Sequence, residues 1–280
     1  MLKKLRTILA LFLLTSVFMM LSSCTIEYKL AKQFVEHAEK PALMYISPDY
    51  VFKTNLKKDQ IHGYQELDEF ELDSTLFFNS SYLQLVDDSI LLAEFNKRFL
   101  GEMEALGIET FSDFQMDTFL IIRKPSFILN IAQMELEEYI QEYRDEEVFD
   151  DYLYYKEIDL NAVGLNVWFE FSRMNKDDDE PIVLYASHYV MDGYSGQFRY
   201  YPFSGELSYD FSVDSLNVQD IYDLAGFLGE KYAGYTYDFL MNIYIYSNAP
   251  EDVKPELYYH YDRKRNAFVP VDDDRFKPVE

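Results

Sequence analysis

The residues best suited to proton transfer or metal ligation in this 280-residue chain are four histidines, His37, His62, His188 and His260. None lies three or four positions from another, so no helical turn brings two onto one face. The chain has one cysteine, so spacing assembles neither a His/Cys zinc set nor a Cys–His nucleophilic pair. His188 stands in ASHYVMDG, at the end of an expected strand and near Asp192. A carboxylate neighbour suits a general base, but a structural histidine is the simpler reading. DLNAVGLNVWFE (159–170) sets Asp159, Asn161, Gly164 and Glu170 at positions 1, 3, 6 and 12 of an EF-hand loop. Val163 at position 5 offers no side-chain oxygen, and the β-branched, aromatic residues downstream oppose an exiting helix, so calcium is not expected. Carboxylates are abundant, among them Glu135, Glu137, Glu138, Asp177, Asp178, Asp179, Asp272, Asp273 and Asp274. A glycosidase needs two of them facing each other, which spacing alone does not supply. The runs at 177–180 and 272–274 read as solvated loops. Arg263, Lys264 and Arg265, beside Tyr258, Tyr259 and Tyr261, form a basic cluster that reads as a hairpin tip before it reads as a docking site. There is no G-x-S-x-G, P-loop or dinucleotide fingerprint. The expectation is therefore no catalytic residue, no metal site, no cofactor, and a binding protein ahead of an enzyme.

The charge balance narrows the partners. Fifty Asp and Glu against 25 Lys and Arg give a formal net charge of −25. Nucleic-acid binding depends on neutralising phosphates with basic side chains, so it is not expected. The same balance opposes adhesion to anionic headgroups by charge. Twenty-five Tyr and 23 Phe beside a single Trp favour strands and an aromatic core. Aromatic faces also bind sugars, which keeps a glycan-binding reading in view.

The N-terminus carries the most specific signal. Lys3, Lys4 and Arg6 precede an apolar run from Ile8 to Leu21 that is broken only by Thr15 and Ser16. A basic segment before a short apolar one reads as a secretory signal, and the run is shorter than a comfortable membrane span. It ends in Leu21-Ser22-Ser23-Cys24, which resembles the lipobox of bacterial lipoproteins. That resemblance implies a diacylglycerol on the Cys24 sulfur, cleavage between Ser23 and Cys24, and an acylated new N-terminus. Cleavage would remove three basic residues, and 25 − 3 leaves 22 against 50 acidic ones, a net of −28. Two or three acyl chains make a lasting anchor where one does not. Thr25 stands where an inner-membrane retention signal would place Asp. No acidic run of the surface-export kind follows Cys24. By that resemblance the expected location is the outer membrane, on its periplasmic face. The mature chain has no second thiol and forms no internal disulfide.

The remaining pattern predicts the elements that position these residues. Residues 25–40 have helical spacing up to Pro41. ALMYIS (42–47) and DYVFKT (49–54) read as extended, 55–70 as loop, and 74–83 as a short strand and turn. The apolar stripe Leu92, Phe95, Phe99, Met103 and Leu106 predicts an amphipathic helix over about 89–106, capped by Asp88 or Ser89 and ended by Gly107. TFLIIR (118–123) reads as a buried strand. Residues 126–143 fit either helix or strand, with strand favoured for the first half. Strands are expected at 165–174, 181–190, 197–203, 205–213, 256–262 and 267–271. A second long helix over about 217–246 carries Ile221, Leu224, Ala225, Leu228, Tyr232, Tyr235, Phe239 and Ile243. Gly226, Gly229 and Gly234 within it suggest close packing, or a break near Gly234.

Strands grouped with a few helices, without βαβ alternation, predict an α+β fold with a mainly antiparallel sheet. The expected organisation is a signal peptide (1–23), a membrane-proximal helix (24–41) and one globular domain (42–280), with a possible subdivision near 195–203. EALGI (104–108) followed by PSFILNIAQMELEE (125–138) resembles a helix-to-strand passage in accessory lipoproteins of envelope assembly and export. That pattern implies a lipid-anchored accessory protein that contacts other envelope proteins. The alternatives are a glycan-binding lipoprotein and a carboxylate-dependent hydrolase.

Overall fold

The structure is a computed structural model that describes residues 26–174, 180–253, 255–271 and 275–278. Leu21-Ser22-Ser23-Cys24, expected as a lipobox, and the acidic runs at 177–179 and 272–274 lie outside the described residues. The architecture is α+β, with a mainly antiparallel mixed sheet. Packing divides the chain into two compact units. The larger holds the described residues of 41–234 and 275–280, and the smaller those of 1–40 and 235–274.

In the larger unit, β1 (Ala42–Ile46) and β2 (Phe52–Asn55) are followed by two 3-10 turns and by α2 (Glu69–Phe78); α1 (Ile26–Glu36) belongs to the smaller unit. Next come α3 (Asp88–Ala105), β3 (Glu109–Phe111) and α4 (Met116–Leu120). The long strands β4 (Ser126–Phe149) and β5 (Tyr152–Arg173) lead to β6 (Ile182–Met191), β7 (Gly193–Tyr201) and β8 (Glu206–Asp214). The helix α5 (Val218–Asn248) starts here and gives its residues from 235 onward to the smaller unit.

The main sheet has the order β11-β6-β5-β4-β1-β3, with β2 beside β4 downstream of β1; β11 is Lys277–Pro278. Pairs β1·β3, β1·β4 and β2·β4 are parallel, whereas β4·β5, β5·β6 and β6·β11 are antiparallel. Residues 162–167 of β5 are buried without alternation, in the middle of the sheet between β4 and β6, and side chains pack on both faces of the sheet. On one face Tyr45 stacks on Phe99 of α3 (4.8 Å), and Phe169 meets Tyr232 of α5 edge-on (5.5 Å). On the other, Met44 packs with Phe111 and Phe119.

The caps explain where the helices begin and end. Asp87 accepts from the Ser89 and Ile90 backbone N–H groups and starts α3 one residue earlier than expected. Gly107 takes φ +78°, Ile108 N–H donates to Met103 O (3.0 Å) and Gly107 N–H to Glu104 O (2.9 Å). Those two bonds form a Schellman close. Two expectations are corrected. Residues 74–83 do not start as a strand, because Asp68 caps Glu71 N–H and nucleates α2 through Phe78. TFLIIR is not a buried strand, because a Ser112–Gln115 capping box starts a short helical stretch. It buries Phe119 and leaves Leu120 and Ile121 exposed. Residues 126–143 are wholly strand.

In the smaller unit, α1 (Ile26–Glu36) buries Ala31 and Phe34, and Phe34 meets Tyr237 and Tyr244 of α5. The hairpin β9 (Tyr258–Asp262) and β10 (Ala267–Val271) completes it. The expected apolar stripe of α5 changes register here. Tyr237, Leu240, Met241 and Ile245 are buried, rather than Tyr235, Phe239 and Ile243 as the expected pattern continued. Two polar side chains explain the shift. Asn242 accepts from Tyr259 N–H (2.9 Å) and donates to Tyr259 O (2.8 Å), and Asp238 accepts from Tyr261 N–H (2.9 Å). One turn apart on the helix, they replace the strand neighbour that the edge of β9 lacks, so this half of α5 must turn a polar face inward.

Candidate functional site

The feature with most capacity for recognition is a pair of long hairpins in the larger unit. β2 pairs with β4 only up to Glu138, and β6 pairs with β5 only from Ala162 onward. Beyond that line, among the described residues, 139–149 and 152–161 have only each other as strand partners. At about 3.3 Å per residue the paired segment runs roughly 35 Å. Its turn is Asp150-Asp151, both at positive φ (49° and 67°). Short acidic side chains tolerate that conformation, and it matches strand twist in a two-residue hairpin.

A second hairpin, β7–β8, lies against this one. One face of the first hairpin carries Tyr143, Asp145 and Phe149. Phe149 meets Phe198 (6.4 Å) and Tyr200 (6.1 Å), Tyr143 meets Tyr194 (4.9 Å), and the Tyr209 hydroxyl donates to Asp145 Oδ2 (2.7 Å). The Tyr194 and Tyr209 hydroxyls cross above Gly196, where a Cβ would stand 1.8 and 2.0 Å from them. Burial raises the Tyr194 pKa, with Asp145 and Tyr143 adding to the effect. The opposite face of the first hairpin is bare. Val148, Leu153 and Tyr155 are exposed, and Arg144 lies 4.0 Å over the Tyr155 ring while pairing with Glu146 (2.6 Å) and Glu157 (3.7 Å). Tyr152 is 70% exposed, and Phe203, in the turn of the second hairpin, is fully exposed. The arm is thus aromatic and acidic together.

A buried polar network holds its root. Lys57 and Glu138 side chains are 4% and 0% exposed and pair at 2.7 Å. Lys57 also donates to Asn161 Oδ1 (2.7 Å). Glu138 Oε1 accepts from Ser81 N–H, and Oε2 from the Tyr82 and Leu83 N–H groups. Asn161 donates through its backbone and side chain to Asp192 Oδ2 (2.8 and 2.9 Å), and Asp192 Oδ1 accepts from Leu216 N–H (2.8 Å). Burial pushes the Asp192 pKa up. The bonds from Leu216 and Asn161, with the Lys57 charge, outweigh burial and hold it below the usual carboxylate range. The Tyr82 hydroxyl is pushed the other way, by burial first and then by Asp192 and Glu138. The network ties β2, the loop after α2, β4, β5 and the β6–β7 junction at the line where the arm leaves the sheet. A buried ion pair of this kind needs every remaining lone pair satisfied, and here both oxygens of Glu138 are.

The residues singled out in the sequence are dispersed. His188 does not use Asp192. Its Nδ1 contacts the Tyr232 hydroxyl (3.2 Å) and its Nε2 contacts the Lys231 ammonium. Burial, then the Lys231 charge, lower its pKa. His260 Nδ1 pairs with the buried Asp238 (2.6 Å), His37 lies beside Glu36 (3.6 Å), and His62 is exposed in a loop. Asp159, Asn161, Gly164 and Glu170 lie along the single strand β5, so they cannot wrap one ion. Asn161 belongs to the network and Glu170 accepts from Asn130 (2.9 Å). Among the described residues no group of three His, Cys, Asp or Glu side chains is placed to hold a metal. Arg263, Lys264 and Arg265 form the β9–β10 turn, with Asn266 at φ +47°. A cleft of about 390 Å³ between α3 and α5 is lined by Glu94, Arg98, Tyr222, Asp223, Gly226, Phe227 and Glu230, a mixed-charge surface with no activated nucleophile.

Lys57 and the arm escaped the sequence reading. The available signal was the alternation Tyr139, Tyr143 and Phe149 on one side of an Asp-Asp turn, which would have extended the strands through 144–164. Compared with known proteins, the chain matches no family model, and no curated protein is significantly similar to it.

Proposed function

We propose that this chain is a lipid-anchored protein of the bacterial envelope, attached through Cys24, that works by binding other envelope proteins rather than by catalysis. The observation that carries the anchor is the position of the only cysteine, at the end of Leu21-Ser22-Ser23-Cys24 and behind a basic, apolar leader. No described helix is long and apolar enough to cross a membrane. What supports the binding role is the two-hairpin arm, whose aromatic side chains at Tyr152, Tyr155 and Phe203 stay more than half exposed and whose root is fixed by a satisfied polar network. By the lipobox resemblance, the location is the outer membrane, facing the periplasm.

Capture of the intact protein from detergent-solubilised membranes tests the role. Stoichiometric partners that disappear when the arm is replaced by a short turn are expected. Retention of the same partners by the arm-less protein would sink the binding reading. A glycan-binding reading draws on Tyr152, Tyr155, Tyr200 and Tyr201, all exposed on the arm; a glycan array showing no binding removes it. A carboxylate hydrolase has less support, because Glu138 spends both oxygens on Lys57 and three backbone N–H groups.

A further inference from the structure

Strand β8 is built differently on its two sides. Glu206, Ser208, Asp210, Ser212 and Asp214 point to one face, alternating with Leu207, Tyr209, Phe211 and Val213 on the face turned to the first hairpin. The three acids recur every fourth residue, roughly 13 Å apart at ~3.3 Å per residue. β7 is the only described strand that pairs with β8, so its other edge presents unpaired backbone donors and acceptors. Phe211 and Val213 are 54% and 41% exposed, so the apolar face is left open beside that edge.

From this geometry we propose that the free edge of β8 accepts an extended segment of a partner protein in which basic and apolar residues alternate. The proposal rests on the binding role argued above and names the chemistry of the partner. The incoming backbone continues the ladder, its apolar side chains cover Phe211 and Val213, and its cations meet Glu206, Asp210 and Asp214. Opposite charges directly across a strand pair attract, and like charges repel. The same stripe opposes a second copy of this chain, since two β8 edges would set acids against acids. That is how natural edges are kept from self-pairing. Asp210 is already paired with Arg199 at 3.3 Å, but both side chains are more than half exposed, so a better-placed cation can exchange for Arg199. Strand addition of this type takes affinity from main-chain bonds and specificity from alternate side chains.

The test is fluorescence anisotropy of a labelled peptide alternating Lys and Val, titrated with the full-length chain in detergent. Binding that weakens with salt is expected. Peptides N-methylated on one or the other alternate set of residues separate ladder pairing from charge attraction, because one pattern blocks the bonds and the other leaves them free. The triple variant Glu206→Lys, Asp210→Lys, Asp214→Lys is expected to bind the Lys/Val peptide about tenfold or more weakly and to gain a Glu/Val peptide instead. Its substituted side chains are exposed, and an unchanged circular dichroism spectrum verifies its fold. Absence of binding, equal binding of both N-methylated peptides, or a dimer of the chain that the triple variant abolishes would each overturn the proposal. Any of these outcomes with Cys24 still lipidated and partners still captured through the arm would leave the binding role standing.

Discussion

Lys57 is buried, and its ammonium is held by two side-chain oxygens, Glu138 Oε1 and Asn161 Oδ1. Lys57→Met leaves Glu138 charged and buried, and such a loss costs about 3–5 kcal/mol. Urea unfolding should register that fall, and a loss below about 1 kcal/mol would mean that water enters the site. His188 makes a pH prediction. Its folded pKa lies below the ordinary value, so the folded state binds its proton less readily than the unfolded chain does. Stability from this residue is therefore present above about pH 6.5 and is lost as pH falls through that value toward the folded pKa. His188→Gln should flatten the drop in melting temperature between pH 7 and pH 5. An unaltered slope would show that Lys231 and Tyr232 do not govern its titration. Neither residue's role was legible in the sequence. Lys57 lies in a polar stretch that looks solvated, and its partners are 81 and 104 positions away. His188 is near Asp192 in the chain, but four residues of extended backbone separate them by about 13 Å, and its partners Tyr232 and Lys231 come from a helix instead.

At the scale of elements, α3 and α5 meet at a glycine. A Cβ on Gly229 would stand 2.3 Å from the Phe95 carbonyl oxygen and 3.1 Å from its carbon, whereas one on Gly234 meets nothing within 4 Å. Gly229→Ala must push backbone against backbone, an overpacking cost of about 1–3 kcal/mol. Gly234→Ala should be neutral or stabilising by up to about 1 kcal/mol, because alanine is the better helix former. Thermal melts of the two variants should move in opposite directions, and a shared direction would contradict the packing. Both long helices were legible because their apolar residues recur at helical spacing over several turns. So was the strand character of 165–174 and 181–190, which are rich in β-branched and aromatic residues. The errors fell where a cap overrode composition. Asp68 turned a Leu-Phe-Phe run into helix, and the helical stretch begun at the Ser112–Gln115 box took in Thr118, Phe119 and Leu120. The arm was hidden for a different reason. Its strands carry charged and aromatic side chains on both faces, so no alternation of apolar against polar residues marks them.

For the whole molecule, an acidic, single-thiol chain has few ways to stay at a membrane, and charge is not among them. The attachment proposed through Cys24 is covalent and lipid-based, so it is expected to be indifferent to salt. Carbonate or high-salt washing of membranes is expected to leave the protein in the pellet, while Cys24→Ala shifts it to the supernatant or leaves it unprocessed. The most direct measurement is the intact mass of the protein extracted from membranes, with fragmentation of its N-terminus. The expected species begins at Cys24 and carries a diacylglycerol on sulfur together with an N-acyl chain. A protein that begins elsewhere, or that carries an unmodified thiol at Cys24, contradicts the anchor and the envelope role built on it.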